Sequence, residues 1–362
     1  MIQNKKLSAF QLFSLCAMAS MLGLSAAGRS GLTPAYFWIT IIIFALQSAA
    51  AALLSHTFRQ CGSDSFGDML SRLVSAPVAR LLLAAFGLLL AVRASAALAV
   101  QTGAVKLYLL EDTSGFAIML ILLLTAFAAL LPGIRRMSGT AVLFTLMLPF
   151  LLAIIIVTGL LGAEWGELRT VFQPDIRQAA PAFVPAVLTA SGTECVLFLL
   201  GSGRTGKGAG RAAVIAPAVC ALIFAAMFCV SVGTIGLGGT ASTSFPFIEA
   251  SRQISSGGIE LTERFDLPLI TASLFASIVQ LAVYTLSAAM ALSEALSPGN
   301  TGRFALGLLP AEFAIAMFVR YSTRGYIVGE VCAWGIAAWI AIILPLLALI
   351  SIIRFRRGDE GE

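Results

Sequence analysis

Long apolar runs separated by short polar stretches occupy almost the whole chain. Most runs reach or exceed the about 20 apolar residues that a helix needs to cross a bilayer. The pattern therefore predicts about ten transmembrane helices. They lie near residues 8–28, 34–56, 78–108, 114–131, 139–162, 181–201, 211–236, 267–296, 302–319 and 328–353. No stretch long enough for a separate soluble domain remains, so we expect one all-α integral membrane domain over residues 1–362, in contact with lipid.

Composition supports this class. Of the 362 residues, 59% are hydrophobic and 11% are charged, whereas soluble domains average about 25% charged residues. The net charge of +5 is explained by topology, since cytoplasmic loops are enriched in Lys and Arg. With a cytoplasmic N-terminus, 14 such residues fall in cytoplasmic segments and 8 in outer ones. We therefore expect both termini in the cytoplasm and no nucleic-acid partner.

The N-terminus has the basic start of a signal peptide, but its apolar run continues to Gly28 without a clean cleavage site. It is therefore interpreted as a retained first helix. The six cysteines contain no C-x-x-C pair, and His56 is the only histidine. This pattern indicates no metal site and no disulfide framework, so no cofactor is expected.

A glycine-rich loop at residues 201–208 nearly spells a phosphate-binding motif. Its last position is Gly208, which lacks the hydroxyl that would bind magnesium. The loop also follows a membrane helix instead of a strand. Nucleotide binding is therefore not predicted.

Residues 238–266 form a long outer segment. Within it, Phe247, Ala250 and Ile254 have helical spacing, which predicts a short amphipathic helix lying on the outer leaflet. Two alternatives are that this helix caps a transport pathway or meets a partner protein.

Two runs are interrupted by small and polar residues. The first is broken at residues 23–28, and the sixth at 189–194. If ten helices form two halves, about 8–162 and 181–353, these breaks occupy equivalent places. Paired interruptions of this kind point to a transporter substrate site, because irregular backbone persists in a membrane only where it lines a protected cavity.

The breaks suit an amino acid. Free N–H groups at half-helix starts would attract a carboxylate, and freed carbonyl groups would accept bonds from an ammonium group. The alternative is that small residues serve only close helix packing. The candidate substrate-binding residues at the breaks are Gly23, Ser25, Ala26, Ser191, Gly192, Thr193 and Glu194.

Arg93 lies near the middle of the third run, with Gln101 on the same helix face. A charge at that depth costs about 2.5–3.5 kcal/mol, so it should face the bundle and find a partner. Glu194 is the obvious candidate. A structural Arg93–Glu194 pair and substrate contact by either residue both remain open.

The eighth run carries a polar patch, formed by Gln280, Tyr284, Thr285 and Ser287. Tyr284 is a candidate substrate contact, and Thr285 and Ser287 are weaker candidates for ion binding. Hydrogen bonding between helices is the alternative. We expect the acidic residues Glu294 and Glu312 near the ends of runs eight and nine, within reach of interfacial water.

Several segments resemble the spore germination permeases, which are the B subunits of endospore germinant receptors. They are the opening KLSAFQLFSL, the Ser191–Glu194 break followed by CVLFLL, and the stretch from Phe245 through Asp266, with its Phe245-Pro246 pair and its Glu-Arg-x-Asp run. The resemblance covers nearly the whole chain in helix number and order. Two features depart from the family pattern, the alanine-rich segment before the second run and Arg93.

This resemblance implies a LeuT-like fold of the amino acid–polyamine–organocation superfamily, a 5+5 inverted repeat with helices one and six broken. It also implies a germinant receptor subunit in the spore inner membrane, in complex with an A-type membrane subunit and a C-type lipoprotein. The alternative is an ion-coupled amino-acid permease of the bacterial cytoplasmic membrane. An enzyme is not expected, since no catalytic constellation accompanies a cavity.

Overall fold

The computed structural model describes residues 7–21, 33–63, 65–200, 208–255, 266–297 and 299–359. Two sequence-based interpretations fall outside these ranges. One is the break in the first run, with the candidate residues Gly23, Ser25 and Ala26. The other is the glycine-rich loop, of which only Gly208 is described.

The regular elements of the described chain are helices, numbered here in chain order. They are α1 Ala9–Met21, α2 Pro34–Cys61, α3 Phe66–Leu73, α4 Ala76–Tyr108, α5 Gly115–Leu130, α6 Ile134–Leu161, α7 Trp165–Val171, α8 Ala179–Ala190, α9 Val196–Leu200, α10 Ala209–Ser242, α11 Pro246–Ser255, α12 Asp266–Leu296, α13 Thr301–Tyr321, α14 Tyr326–Ala338 and α15 Leu344–Asp359. Short 3₁₀ turns precede α8 and α9, and a π-helical turn, Trp339–Ile343, joins α14 to α15.

Local sequence explains where several helices begin. Ser8 and Gln11 form a reciprocal capping box, since each side chain accepts the backbone N–H of the other. Thr33 caps α2 ahead of Pro34, whose fixed φ suits the first helical position. The same helix ends at Gly62, which adopts the left-handed conformation that favours glycine.

Each of the ten predicted runs contains a helix of the structure. By length and apolar composition, seven candidate spans qualify among the described residues, and the last of them joins α14 and α15. Three shorter apolar helices, α1, α5 and α8, lie in the remaining runs. The described part of this membrane protein is thus helical, and its sixth run is split into α8 and α9.

The centre of the bundle is formed by α12, which is the most enclosed of the candidate spans and packs most extensively against α4. Small residues allow this close approach, as is common where membrane helices meet. Gly87 of α4 lies directly against Ala288, Ala291 and Leu292 of α12. Arg93 and Tyr284 lie on these same two helices, so their packing positions the polar site described below.

The short helix predicted in the outer segment is confirmed as α11. Its apolar side chains, including Phe247 and Ala250, are buried against the bundle, so they do not face the outer leaflet. Tyr108, at the end of α4, donates a 2.8 Å hydrogen bond to Glu249 of α11. The interpretation as a leaflet-bound helix was therefore wrong, because protein supplies the apolar partner surface at this end of the bundle.

Glu312 also departs from expectation. It lies one residue past the midpoint of the 21-residue helix α13 and is buried, so it is not near a helix end. Glu294 does lie close to the end of α12, but its carboxylate accepts the backbone N–H of Gly67 at 2.7 Å, at the start of α3.

We expect Gly87→Val to lower the thermal unfolding midpoint of the detergent-solubilised protein. A Cβ at this position would lie 3.0 Å from Ala291 Cβ and 3.0 Å from Leu292 Cγ, and valine adds two further methyl groups. Overpacking of this kind costs about 1–3 kcal/mol. The control is Gly139→Val in α6, where a Cβ meets nothing within 4 Å. Equal midpoints for both variants would contradict the close α4–α12 contact.

Candidate functional site

The sixth run is broken where the sequence predicts it. Helix α8 ends at Ala190, the backbone is extended at Ser191 (ψ 150°), and a 3₁₀ turn over Thr193–Cys195 leads into α9. An interruption of this kind leaves the last carbonyl groups of one half-helix and the first N–H groups of the next without helical partners.

Gly192 is required at the centre of the break. Its φ is +142°, and a Cβ built there would lie 2.5 Å from the carbonyl carbon and oxygen of Ala19. Glycine alone accommodates both constraints. The break therefore packs directly against the last described turn of α1, which precedes the predicted interruption at residues 23–28.

Arg93 is 5% exposed and binds the C-terminal end of α8. Its Nε donates to Ser191 Oγ at 2.8 Å, and its Nη2 donates to the carbonyl oxygen of Leu188 at 3.1 Å. The Ser191 hydroxyl in turn donates to the same carbonyl at 2.7 Å. A cation at this place complements the partial negative charge of a helix C-terminus.

Glu194 is 4% exposed and acts on the other side of the break. Its carboxylate accepts the N–H of Gly192 at 2.6 Å and the hydroxyl of Tyr284 at 2.9 Å. The Gly192 N–H, expected to be free for a substrate anion, is therefore already bonded within the chain. The reason is that the side chain, only two residues away, folds back onto it.

A direct ion pair between Arg93 and Glu194 is not formed. Within the described ranges, the ion pairs are Arg72–Asp68 and Arg252–Glu249. The two groups are instead joined through Tyr284, whose hydroxyl binds Glu194. The Arg93 guanidinium carbon lies 5.4 Å from the centroid of its ring. This distance permits a cation–π interaction.

Gln280, one helical turn before Tyr284, belongs to the predicted polar patch, although it was not itself a candidate ligand residue. Its side-chain nitrogen donates to the carbonyl oxygen of Ala19 near the end of α1. Its Oε1 is buried and has no hydrogen-bond partner in the part of the chain that the structure describes. The i, i+4 spacing places Gln280 and Tyr284 on one face of α12.

Neighbouring contacts hold the two half-helices in place. Tyr36 of α2 and Thr189 of α8 share a 2.7 Å hydrogen bond between their hydroxyl groups, just ahead of the break. Beyond the break, Phe198 of α9 packs against Phe66 and Phe86, with ring centroids 5.3 and 5.8 Å away. The break is thus fixed at both ends by side chains of other helices.

Thr285 and Ser287, the two residues predicted as weak ion ligands, have different surroundings. The Thr285 hydroxyl is directed at Glu312, 2.9 and 3.1 Å from its two oxygens. The Ser287 hydroxyl is buried and has no oxygen or nitrogen partner among the described residues. Ion binding by this pair stays a prediction, as does substrate contact by Thr193. Within the described ranges, no three or more His, Cys, Asp or Glu residues are grouped so that they could bind a metal ion.

We expect Tyr284→Phe to destabilise the protein by about 1–3 kcal/mol, because it leaves a buried oxygen of Glu194 without its donor. The ring, and with it the contact to Arg93, is retained. The measurement is thermal unfolding in detergent. The matched control is Tyr326→Phe, at an exposed tyrosine, and an effect no larger than that of the control would contradict the role of the Tyr284 hydroxyl.

Two solved transporter structures share this fold. One is Mhp1, a nucleobase-cation-symport-1 family transporter in a closed conformation with bromovinylhydantoin bound. It is 15% identical, with a TM-score of 0.63 and coverage of 98% of this chain and 80% of that one. The other is MhsT in complex with L-phenylalanine, which is 14% identical, with a TM-score of 0.58 and coverage of 97% and 99%. Both support a LeuT-like fold, as the resemblance implied.

No curated protein sequence matches the chain. Residues 6–324 match a protein family that is described as spore germination protein. This range includes the broken sixth run, the central helices α4 and α12, and Glu312. Because the match extends over most of the sequence, the chain belongs to the spore germination permease family.

Proposed function

We propose that this chain binds a small zwitterion of the amino-acid type beside the break between α8 and α9, and that it does so as the membrane subunit of a germinant receptor. The observation that carries the proposal is a buried arginine with unused donors next to buried acceptors.

Arg93 supplies the anion-binding half of the site. A guanidinium group has five N–H donors, and the bonds to Ser191 and Leu188 use its Nε and one position on Nη2. Its Nη1 makes no hydrogen bond within the described ranges. Arginine binds carboxylates through paired, charge-assisted hydrogen bonds, so the free donors suit the carboxylate of an amino acid.

The acceptor half of the site comes from Gln280 and Glu194. The Oε1 of Gln280 is a buried acceptor without a partner in the described chain. Glu194 retains acceptor capacity beyond its two bonds, since an ionised carboxylate offers about four lone-pair positions. An ammonium group has three donors, and it would satisfy these acceptors together.

Charge balance favours a zwitterion over a simple anion or cation. Arg93 and Glu194 carry opposite charges and lie in one buried network around Tyr284. A ligand with no net charge preserves this balance, whereas a singly charged ligand adds an uncompensated charge, which is costly away from water. The bound L-phenylalanine of MhsT agrees in chemistry with such a ligand.

Family membership supports the receptor role. On this basis the protein resides in the spore inner membrane, with both termini in the cytoplasm, in complex with an A-type membrane subunit and a C-type lipoprotein. The distribution of Lys and Arg supports the orientation. Copurification of two unlike subunits with the full-length chain from spore membranes is the expected result.

The second candidate is an ion-coupled amino-acid permease. It is favoured by the transporter fold and by the cation-symport family of Mhp1. Proteoliposomes containing the protein alone distinguish the two roles. Accumulation of a radiolabelled amino acid that depends on a proton or sodium gradient supports the permease, and binding without accumulation supports the receptor.

We expect the purified protein to bind at least one of the protein amino acids, screened by thermal shift and confirmed with the radiolabelled compound. Arg93→Gln should weaken that binding by about tenfold or more, because a hydrogen bond to a charged group contributes about 1.5–3 kcal/mol. Arg80→Gln is the matched control, since Arg80 lies on the same helix but is exposed.

Two results would overturn the proposal. One is that no amino acid binds to folded wild-type protein. The other is that Arg93→Gln and Arg80→Gln bind the same amino acid equally well. Folding of each variant is checked by its elution as a single species in detergent, so that a lost binding signal is not confused with a lost structure.

A further inference from the structure

A second buried acid lies outside the site around Arg93. Glu312 is 1% exposed and lies one residue past the midpoint of α13. Pro310 precedes it by two residues in the same helix. An ionisable side chain at this depth is expensive to insert and is usually retained for a function.

Within the described ranges, the hydrogen-bond partner of the Glu312 carboxylate is the hydroxyl of Thr285. This hydroxyl lies 2.9 Å from one carboxylate oxygen and 3.1 Å from the other. No described Lys, Arg or His forms an ion pair with Glu312. The carboxylate therefore lacks the compensation that a buried charge needs.

The helices that pack against α13 are α4, α5 and α12. None of the residues of α5 is titratable. On α4 and α12, Arg93 binds Ser191 and Leu188, Tyr108 binds Glu249, Tyr284 binds Glu194, and Glu294 binds Gly67. The other ionisable residues of these three helices and of α13 are Arg80, Lys106, Asp266, Arg303, Arg320 and Tyr321.

A hydroxyl partner suits a carboxyl group that changes its protonation state. A threonine hydroxyl donates to an ionised carboxylate, and it accepts from a protonated carboxylic acid. Thr285 therefore keeps a hydrogen bond with Glu312 in both states without a change of partner. An arginine or lysine in its place would stabilise the charged state alone.

The described side chains around Glu312 do not form a cluster for a divalent cation, since no group of three or more His, Cys, Asp or Glu residues lies together within the described ranges. Calcium takes six to eight oxygen ligands, and magnesium requires near-octahedral coordination. The hydrogen-bonded oxygen groups described at Glu312 are its own carboxylate and one hydroxyl. A proton needs a single oxygen atom.

We propose that Glu312 is a site of reversible proton binding, held by Thr285 near the middle of α13. The step adds a proton from water to one carboxylate oxygen and releases it again to water. Thr285 directly follows Tyr284, so one turn of α12 contacts both this acid and the Arg93–Glu194 network. The proposal does not depend on the identity of the ligand at that network.

Infrared spectroscopy of the full-length protein in lipid tests this directly. A protonated carboxylic acid has a carbonyl band that an ionised carboxylate lacks. The wild type should show such a band from a buried acid, which disappears in alkaline buffer and returns on acidification. Glu312→Gln should lose it, while the amide keeps the size of the side chain and an acceptor for Thr285. Glu330→Gln, at an exposed glutamate of α14, should retain it.

A second variant locates the proton and covers the case in which Glu312→Gln does not fold. Thr285→Val removes the hydroxyl at nearly constant volume, so the acid carbonyl band should shift to higher frequency. The proposal is overturned if the band does not change across the pH range in which the protein stays folded. It is equally overturned if Glu312→Gln and Glu330→Gln give the same spectrum, or if Thr285→Val leaves the band unshifted.

Discussion

The structure depends on one constraint, that an interrupted helix inside a membrane must still satisfy its backbone hydrogen bonds. At the break after Ala190, two side chains of opposite charge do this. Arg93 binds the carbonyl end of α8 through Leu188 and Ser191, and Glu194 binds the N–H of Gly192 ahead of the next half-helix. Each charge lies where the partial charge of the helix end is opposite, so the dipoles and the side chains stabilise each other.

This arrangement also explains the central place of α12. Gln280 and Tyr284 lie on one face of this helix. Gln280 contacts the end of α1, and Tyr284 contacts the carboxylate of Glu194. The neighbouring Thr285 contacts Glu312 on α13. The close packing of α12 on α4 at Gly87 keeps Tyr284 beside Arg93. One helix therefore connects the polar site with the second buried acid.

Much of this was predictable because hydrophobic length, broken runs and a buried charge are local properties of the sequence. The ten apolar runs, the break at 189–194 and the inward position of Arg93 follow from them. The hydrogen-bond network around Arg93 could not be predicted in this way. Arg93 binds the backbone carbonyl of Leu188, and a backbone carbonyl is present whatever the residue type. The burial of Glu312 was not predicted because it comes from other helices, chiefly α4 and α12, that pack against α13, and the sequence of α13 alone does not show these contacts.

The central claim is that Arg93 and Glu194 stabilise one break together without touching. A double-mutant cycle with Arg93→Gln, Glu194→Gln and the double variant, measured by chemical unfolding in detergent, tests it most directly. The account predicts non-additive changes in unfolding free energy, with a coupling of about 0.5–3 kcal/mol. Changes that add to within about 0.5 kcal/mol, as for distant independent sites, would contradict it.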